Sequence, residues 1–66
     1  MKKKISVHLN DMNKVYILEQ FGQISYVDDF LDLVFIVVNE SEIKSILALE
    51  FVVNIEECGR GNLLTA

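Results

Sequence analysis

An unbroken run of six apolar residues, Leu33 to Val38, most constrains how this 66-residue chain can fold. Most of the run is branched at Cβ, which favours an extended strand over a helix. The run is far shorter than the roughly 20 residues that span a bilayer, so it must be buried inside a folded protein. Because both faces of the strand are apolar, we expect it to lie in the middle of a sheet.

The remaining apolar residues follow strand spacing in some segments and helix spacing in others. The sequence predicts strands at residues 4–9, 23–27, 33–38 and 51–57, and helices at residues 12–21 and 43–47. Gly22 is expected to end the first helix, because glycine accepts the positive φ of a helix end. Asn39 and Glu42 are spaced as a capping box that starts the second helix. Phe51 and Val53 are expected to share one face of the last strand.

The predicted order is strand, helix, strand, strand, helix, strand. With right-handed crossovers, this order gives an α+β ferredoxin-like fold, in which a four-stranded antiparallel sheet carries two helices on one face. We expect residues 1–57 to form this domain and residues 58–66 to form an extended tail. The second face of the sheet is then left without helices.

That uncovered sheet face is expected to bind a partner. The chain is too short to supply a second covering layer, and apolar residues in the middle of an open face mark an interaction surface. We assign Val34, Ile36 and Val38 to this face. The alternative is that Phe30, Tyr16 or the tail folds back over it.

Composition excludes several classes of protein. Hydrophobic residues make up 52% of the chain, proline is absent and there is one cysteine, so neither disorder nor an internal disulfide is expected. The net charge is −4 and the one basic cluster is Lys2 to Lys4, which argues against nucleic acid as a partner. No unbroken apolar stretch follows Met1, so neither a secretion signal nor a membrane partner is expected.

Residues that could carry chemistry are few. His8 and Cys58 are the one histidine and the one cysteine, and nothing in the sequence indicates a third group that would orient them for catalysis. They also cannot supply the three or four ligands of a zinc site. Asp28, Asp29 and Asp32 lack the glycine and glutamate of a calcium loop, so a hairpin turn is the better interpretation. We therefore expect no metal, no cofactor and no enzymatic activity of the chain by itself.

Taken in order, several segments resemble the propeptide domain of subtilisin-like serine proteases. The similar segments are residues 5–9, 17–22, 33–38, 42–47 and 51–57, the last of which closes on acids. This resemblance implies an intramolecular chaperone that assists folding of the protease. After self-cleavage it would stay bound to the protease as an inhibitor, with the sheet packed on two protease helices.

The resemblance also assigns roles to residues at the carboxyl end. Glu56 and Glu57 would cap the amino ends of the two protease helices, although Cys58 stands where a second capping acid is expected. The residues that would occupy the substrate cleft are Leu63, Leu64, Thr65 and Ala66, with the cleaved bond after Ala66. The absent secretion signal fits the intracellular or spore-associated members of that family.

Two other interpretations remain open. Residues 20–22, 24–27 and 51–52 are similar to segments of small uncharacterised cytosolic bacterial proteins with the same strand order. The chain could also be a regulatory module that forms a homodimer through its open sheet face. A doubled mass in solution, independent of any protease, would distinguish this last interpretation.

Overall fold

A computed structural model describes residues 1–58, and it confirms the predicted fold class. The strands are β1 (Lys2–Leu9), β2 (Gly22–Asp28), β3 (Leu33–Asn39) and β4 (Val52–Glu57). Helices α1 (Val15–Leu18) and α2 (Ile43–Leu47) are short, and they follow 3₁₀ turns at Met12–Lys14 and Glu40–Glu42. Within residues 1–58, no helix has the length and apolar character that a membrane span requires.

The four strands form one antiparallel sheet in the order β2-β3-β1-β4. The two central strands, β1 and β3, therefore come from different halves of the chain. Their register places Ile5 opposite Ile36 and Val7 opposite Val34. On its other side, Val7 lies opposite Ile55 of β4. This order and pairing are those of the ferredoxin-like arrangement.

The hydrophobic core lies between the sheet and the two helices. Its buried residues are Ile5, Val7, Leu9, Leu18, Val34, Ile36, Val38, Ile46 and Val52. The helices contribute Leu18 and Ile46 to the same cluster that the strands supply, so both helices cover the same sheet face. Because side chains alternate along a strand, the intervening residues point to the opposite face.

The assignment of Val34, Ile36 and Val38 to the partner-facing side of the sheet is wrong. Their side chains have exposures of 0%, 0% and 1%, and they pack in the core under the helices. The reason is the register with β1: directly paired residues share a face, and Ile36 is paired with the buried Ile5. The alternate residues of the apolar run, Leu33, Phe35 and Val37, point away from the helices.

The first helix is shorter than predicted. It covers Val15–Leu18, and the chain then turns through residues 19–21, where the amide of Phe21 donates to the carbonyl of Leu18 at 3.0 Å. Gly22 is not a helix cap but the first residue of β2. A Cβ atom at this position would overlap the carbonyl oxygen of Val37, so glycine is required by the close approach of β2 to β3.

Two further local predictions differ from the structure. Val52 rather than Val53 is buried at the start of β4, and Val53 is 54% exposed. The β1–β4 register shifts between His8 and Leu9, and this bulge changes which β4 residues face the core. The capping box is also absent, since the side chain of Asn39 makes no capping hydrogen bond.

Candidate interaction surface

The sheet surface that faces away from both helices is named the open face. It carries alternate residues of the strands, in phase opposite to the buried residues, and on β2 the phase changes where the register shifts between Ile24 and Tyr26. Its residues are Lys2, Lys4, Ser6 and His8 on β1; Gln23, Tyr26 and Asp28 on β2; Leu33, Phe35, Val37 and Asn39 on β3; and Asn54 and Glu56 on β4. The register arranges most of them in three rows across the strands.

An apolar strip runs along the middle of the open face. It consists of Leu33, Phe35 and Val37 on β3 together with Tyr26 on β2, and it is named the apolar spine. The rings of Tyr26 and Phe35 lie with centroids 5.9 Å apart and planes tilted by 45°, an arrangement that favours aromatic contact. Tyr26 is 60% exposed and the three β3 side chains are half-buried, so the spine is accessible to a partner.

Polar and charged side chains flank the apolar spine on both sides. His8 lies opposite Leu33 in the register, and Leu33 lies opposite Asp28 on its other side. Lys4 lies opposite Val37 on β1, and Glu56 occupies the outer strand β4. The positive charge of Lys4 therefore lies on one side of the spine, and an acid lies at each outer edge of the face.

The open face has a shallow depression near the junction of β3, β1 and β4. It has a volume of about 130 Å³ and is lined by Ser6, His8, Leu33, Asn54 and Glu56. Cavities that enclose drug-sized ligands usually measure about 300–1,000 Å³. The surface is therefore better suited to contact with another protein than to enclosure of a small substrate.

His8 lies on β1 and Cys58 directly follows the neighbouring strand β4, but the two side chains do not form a pair. The amide of Cys58 donates to the carbonyl of Lys4 at 2.9 Å, and Lys4 is separated from His8 by about 13 Å of extended β1 strand. Burial raises the pKa of the Cys58 thiol, while the charge of Lys4 opposes that rise. Cys58 therefore lacks the lowered pKa of a reactive thiolate.

The acids between β2 and β3 form a hairpin turn. The Oδ1 atom of Asp28 accepts hydrogen bonds from the amides of Phe30 and Leu31, at 3.0 and 3.1 Å. Asp32 adopts a left-handed conformation with φ of 59°. Within residues 1–58, no group of three or more histidine, cysteine or acidic side chains could hold a metal ion.

The left-handed conformation of Asp32 gives a testable prediction. Aspartate tolerates positive φ, whereas a β-branched residue is strained there by about 1–2 kcal/mol. We expect Asp32→Val to lower the free energy of unfolding by about 1 kcal/mol in urea denaturation. Asp29→Val, in the same turn but at negative φ, is the matched control and is expected to change stability by less than about 0.5 kcal/mol. Equal effects of both changes would contradict the role of backbone strain.

Glu56 and Glu57, predicted to act together on a partner, point to opposite sides of the sheet. Glu56 lies on the open face, opposite Ser6. Glu57 forms a salt bridge within the chain, with its Oε2 atom 3.0 Å from Nζ of Lys3. The same Nζ atom lies 3.4 Å from Oε2 of Glu40. The hydrogen bond and charge of Glu57, with the charge of Glu40, raise the pKa of Lys3. The predicted cleft-binding residues 63–66 lie outside the described residues.

The fold and the open face together define a small ferredoxin-like domain with one uncovered, partly apolar sheet face. The chain belongs to a family described as an uncharacterized protein conserved in bacteria (DUF2129), whose model matches residues 2–66. Neither a curated protein nor a solved structure matches the chain.

This membership shows that the resemblance to subtilisin-like protease propeptides is wrong. The segments that suggested it are strands and helices in an order that many ferredoxin-like domains share, and fold alone does not define a family. The protease-related roles of Glu56, Glu57 and residues 63–66 lose their support with it. The second resemblance, to small uncharacterised bacterial proteins, is consistent with the family.

Proposed function

We propose that this protein is a small interaction module, without catalytic chemistry of its own, that forms a homodimer through its open face. The apolar spine of Leu33, Phe35, Val37 and Tyr26 carries this proposal, because it places four adjacent apolar side chains on a face that neither helix covers. Burial of one such side chain contributes about 1.5–3 kcal/mol, so stacking two spines supplies a driving force for association.

The size of the open face predicts a reversible dimer rather than a permanent one. The spine and the strands on either side of it, β2, β3 and β1, lie about 4.8 Å apart, and with three rows about 6.8 Å apart they cover roughly 300 Å² on each copy. Two copies would bury roughly 600 Å², which is below the roughly 1,200 Å² of standard stable complexes. A dissociation constant on the order of 10 µM is therefore expected.

A second copy of the chain is the favoured occupant because the open face carries charges of both signs. Lys4 and His8 lie on one strand next to the spine, and Asp28 lies on the strand at its other side. A surface that contains both partners of an ion pair can be complementary to itself.

The proposal is tested by replacing the central residue of the spine. Phe35→Asp places a charge on the contact surface, and we expect it to weaken dimerisation at least ten-fold in sedimentation equilibrium between about 1 µM and 1 mM. Tyr16→Asp is the matched control, because Tyr16 is an aromatic residue of α1, is 63% exposed and lies on the helical side. It is expected to dimerise like the unchanged protein.

Circular dichroism confirms that both variants are folded before the comparison is made. An unchanged protein that stays monomeric at 1 mM would overturn the proposal. Dimerisation of Phe35→Asp with the affinity of the unchanged chain would also overturn it, because the spine would then not be the contact surface.

A further inference from the structure

We infer that the two copies stack β3 on β3 about a two-fold axis parallel to that strand, so that His8 of each copy faces Asp28 of the partner subunit. This inference rests on the proposed homodimer and specifies its geometry. It follows from the register across the open face, which fixes which side chains lie on each side of the apolar spine.

Symmetry leaves few ways to stack the open face on itself. In a face-to-face dimer the two-fold axis lies in the plane of the interface, because an axis perpendicular to that plane would leave both open faces pointing in the same direction. To bury the spine, the axis must also pass through β3. Two simple directions remain: parallel to the strands, and perpendicular to them.

The parallel axis lays β3 on β3 and lays β2 of each copy on β1 of the partner subunit. Rotation about this axis places each row on the same row of the partner subunit. Asp28, Leu33 and His8 share one row, so they face residues of that row. The contacts across the interface are Asp28 with His8, Tyr26 with Ser6, and Gln23 with Lys4, each formed twice. Every pair has a donor and an acceptor, and one pair joins an acid to an imidazole.

The perpendicular axis gives worse contacts. It also stacks β3 on β3, but it lays β1 on β1, so Lys4 would face His8 of the partner subunit and would find no acid there. It also lays β4 on β4, where the carboxylate of Glu56 would face the carboxylate of Glu56 of the partner subunit. Directly opposed like charges disfavour an interface, so charge complementarity selects the parallel axis.

The side chains at the selected contact are available for it. His8 is exposed on the open face, and imidazole donates an N–H hydrogen bond whether it is neutral or charged. The Oδ1 atom of Asp28 accepts from the turn amides, and a carboxylate has a second oxygen that can accept from the partner subunit.

The parallel axis also predicts that one acid of the open face, Glu56, does not contribute to dimerisation. Because β2 of the partner subunit lies on β1, the outer strand β4 extends beyond the interface. Glu56 therefore faces no strand of the partner subunit, although it lies on the same open face as Asp28. Glu56→Lys is thus a charge-matched control for Asp28→Lys, since both replace an acid by lysine and change the net charge equally. Asp28→Lys also removes the hydrogen bonds that Oδ1 accepts from the turn amides, so circular dichroism first establishes that both variants are folded.

The experiment mixes two charge variants. Asp28→Lys would bring lysine against His8 of the partner subunit, and His8→Asp would bring aspartate against Asp28, so each variant alone is expected to dimerise at least ten-fold more weakly. Mixed together, they restore an opposite-charge pair at one contact and the native pair at the other. We expect the mixed dimer to form within about three-fold of the native affinity, measured by sedimentation of fluorescently labelled chains.

The controls separate this geometry from the homodimer itself. Glu56→Lys is expected to dimerise like the unchanged protein. A dimeric unchanged protein whose two variants show no preference for each other, or a Glu56→Lys effect as large as that of Asp28→Lys, would overturn the parallel axis and leave the homodimer standing. A monomeric unchanged protein at 1 mM would overturn both.

Discussion

Ile36→Asp is expected to unfold the protein, whereas the same substitution at the adjacent Phe35 leaves the fold intact. Ile36 has an exposure of 0% and lies opposite Ile5 in the core. An uncompensated buried charge costs about 3–5 kcal/mol, and removing the isoleucine side chain costs about 2–5 kcal/mol more. A core in a chain of this size rarely supplies more than about 3–5 kcal/mol of stability, so the folded state is lost.

Far-UV circular dichroism and urea titration at neutral pH measure this contrast directly. We expect no cooperative unfolding transition for Ile36→Asp, and a clear one for Phe35→Asp. The opposite result, a folded Ile36→Asp variant that fails only to associate, is what the sequence-based assignment of Ile36 to the partner face would predict. Observing it would contradict the register between β1 and β3.

Gly22→Ala is expected to lower the free energy of unfolding by about 3 kcal/mol, the upper part of the usual range for overpacking. The added Cβ atom would overlap the carbonyl oxygen of Val37 and would lie 2.7 Å from Cγ1 of Val38. Backbone atoms cannot move aside as a flexible side chain can. The strands β2 and β3 would therefore have to separate at this end of the sheet.

Gln23→Ala is the matched control for Gly22→Ala. Gln23 is the next residue of β2 and is exposed, so its truncation is expected to change stability by less than about 0.5 kcal/mol. Urea denaturation of the two variants beside the unchanged protein gives the comparison. A Gly22→Ala variant as stable as the unchanged chain would show that β2 and β3 are not in close contact at residue 22.

The order of strands and helices could be predicted from the sequence because each segment carries its own periodicity. Ile5, Val7 and Leu9 alternate with polar residues, and the run from Leu33 to Val38 is apolar throughout. Such local patterns specify the type of an element without reference to the rest of the chain. The same holds for the turn between β2 and β3, where acids lie on both sides of Phe30 and Leu31.

The direction in which β3 side chains point could not be predicted, because both faces of the strand are apolar. Phe35 and Ile36 are equally suited to a core, and only pairing with Ile5 of a distant strand decides between them. The bulge at Val53 is likewise a property of the β1–β4 pair, so the sequence of β4 alone led to the wrong choice of the residues that face the core. The incorrect family assignment had a related cause, since it relied on an element order that unrelated families share.

The position of β1 in the sheet has a consequence for protein synthesis. β1 is the first strand to leave the ribosome, yet its hydrogen-bonded neighbours are β3 and β4, which end at Asn39 and Glu57. The nascent chain therefore leaves one edge of β1 unpaired until almost the whole described sequence has been made. Pairing of sequence-distant segments is slow compared with local helix formation. The native sheet is thus complete only after translation of β4, and β1 depends on that last strand for the hydrogen bonds of its second edge.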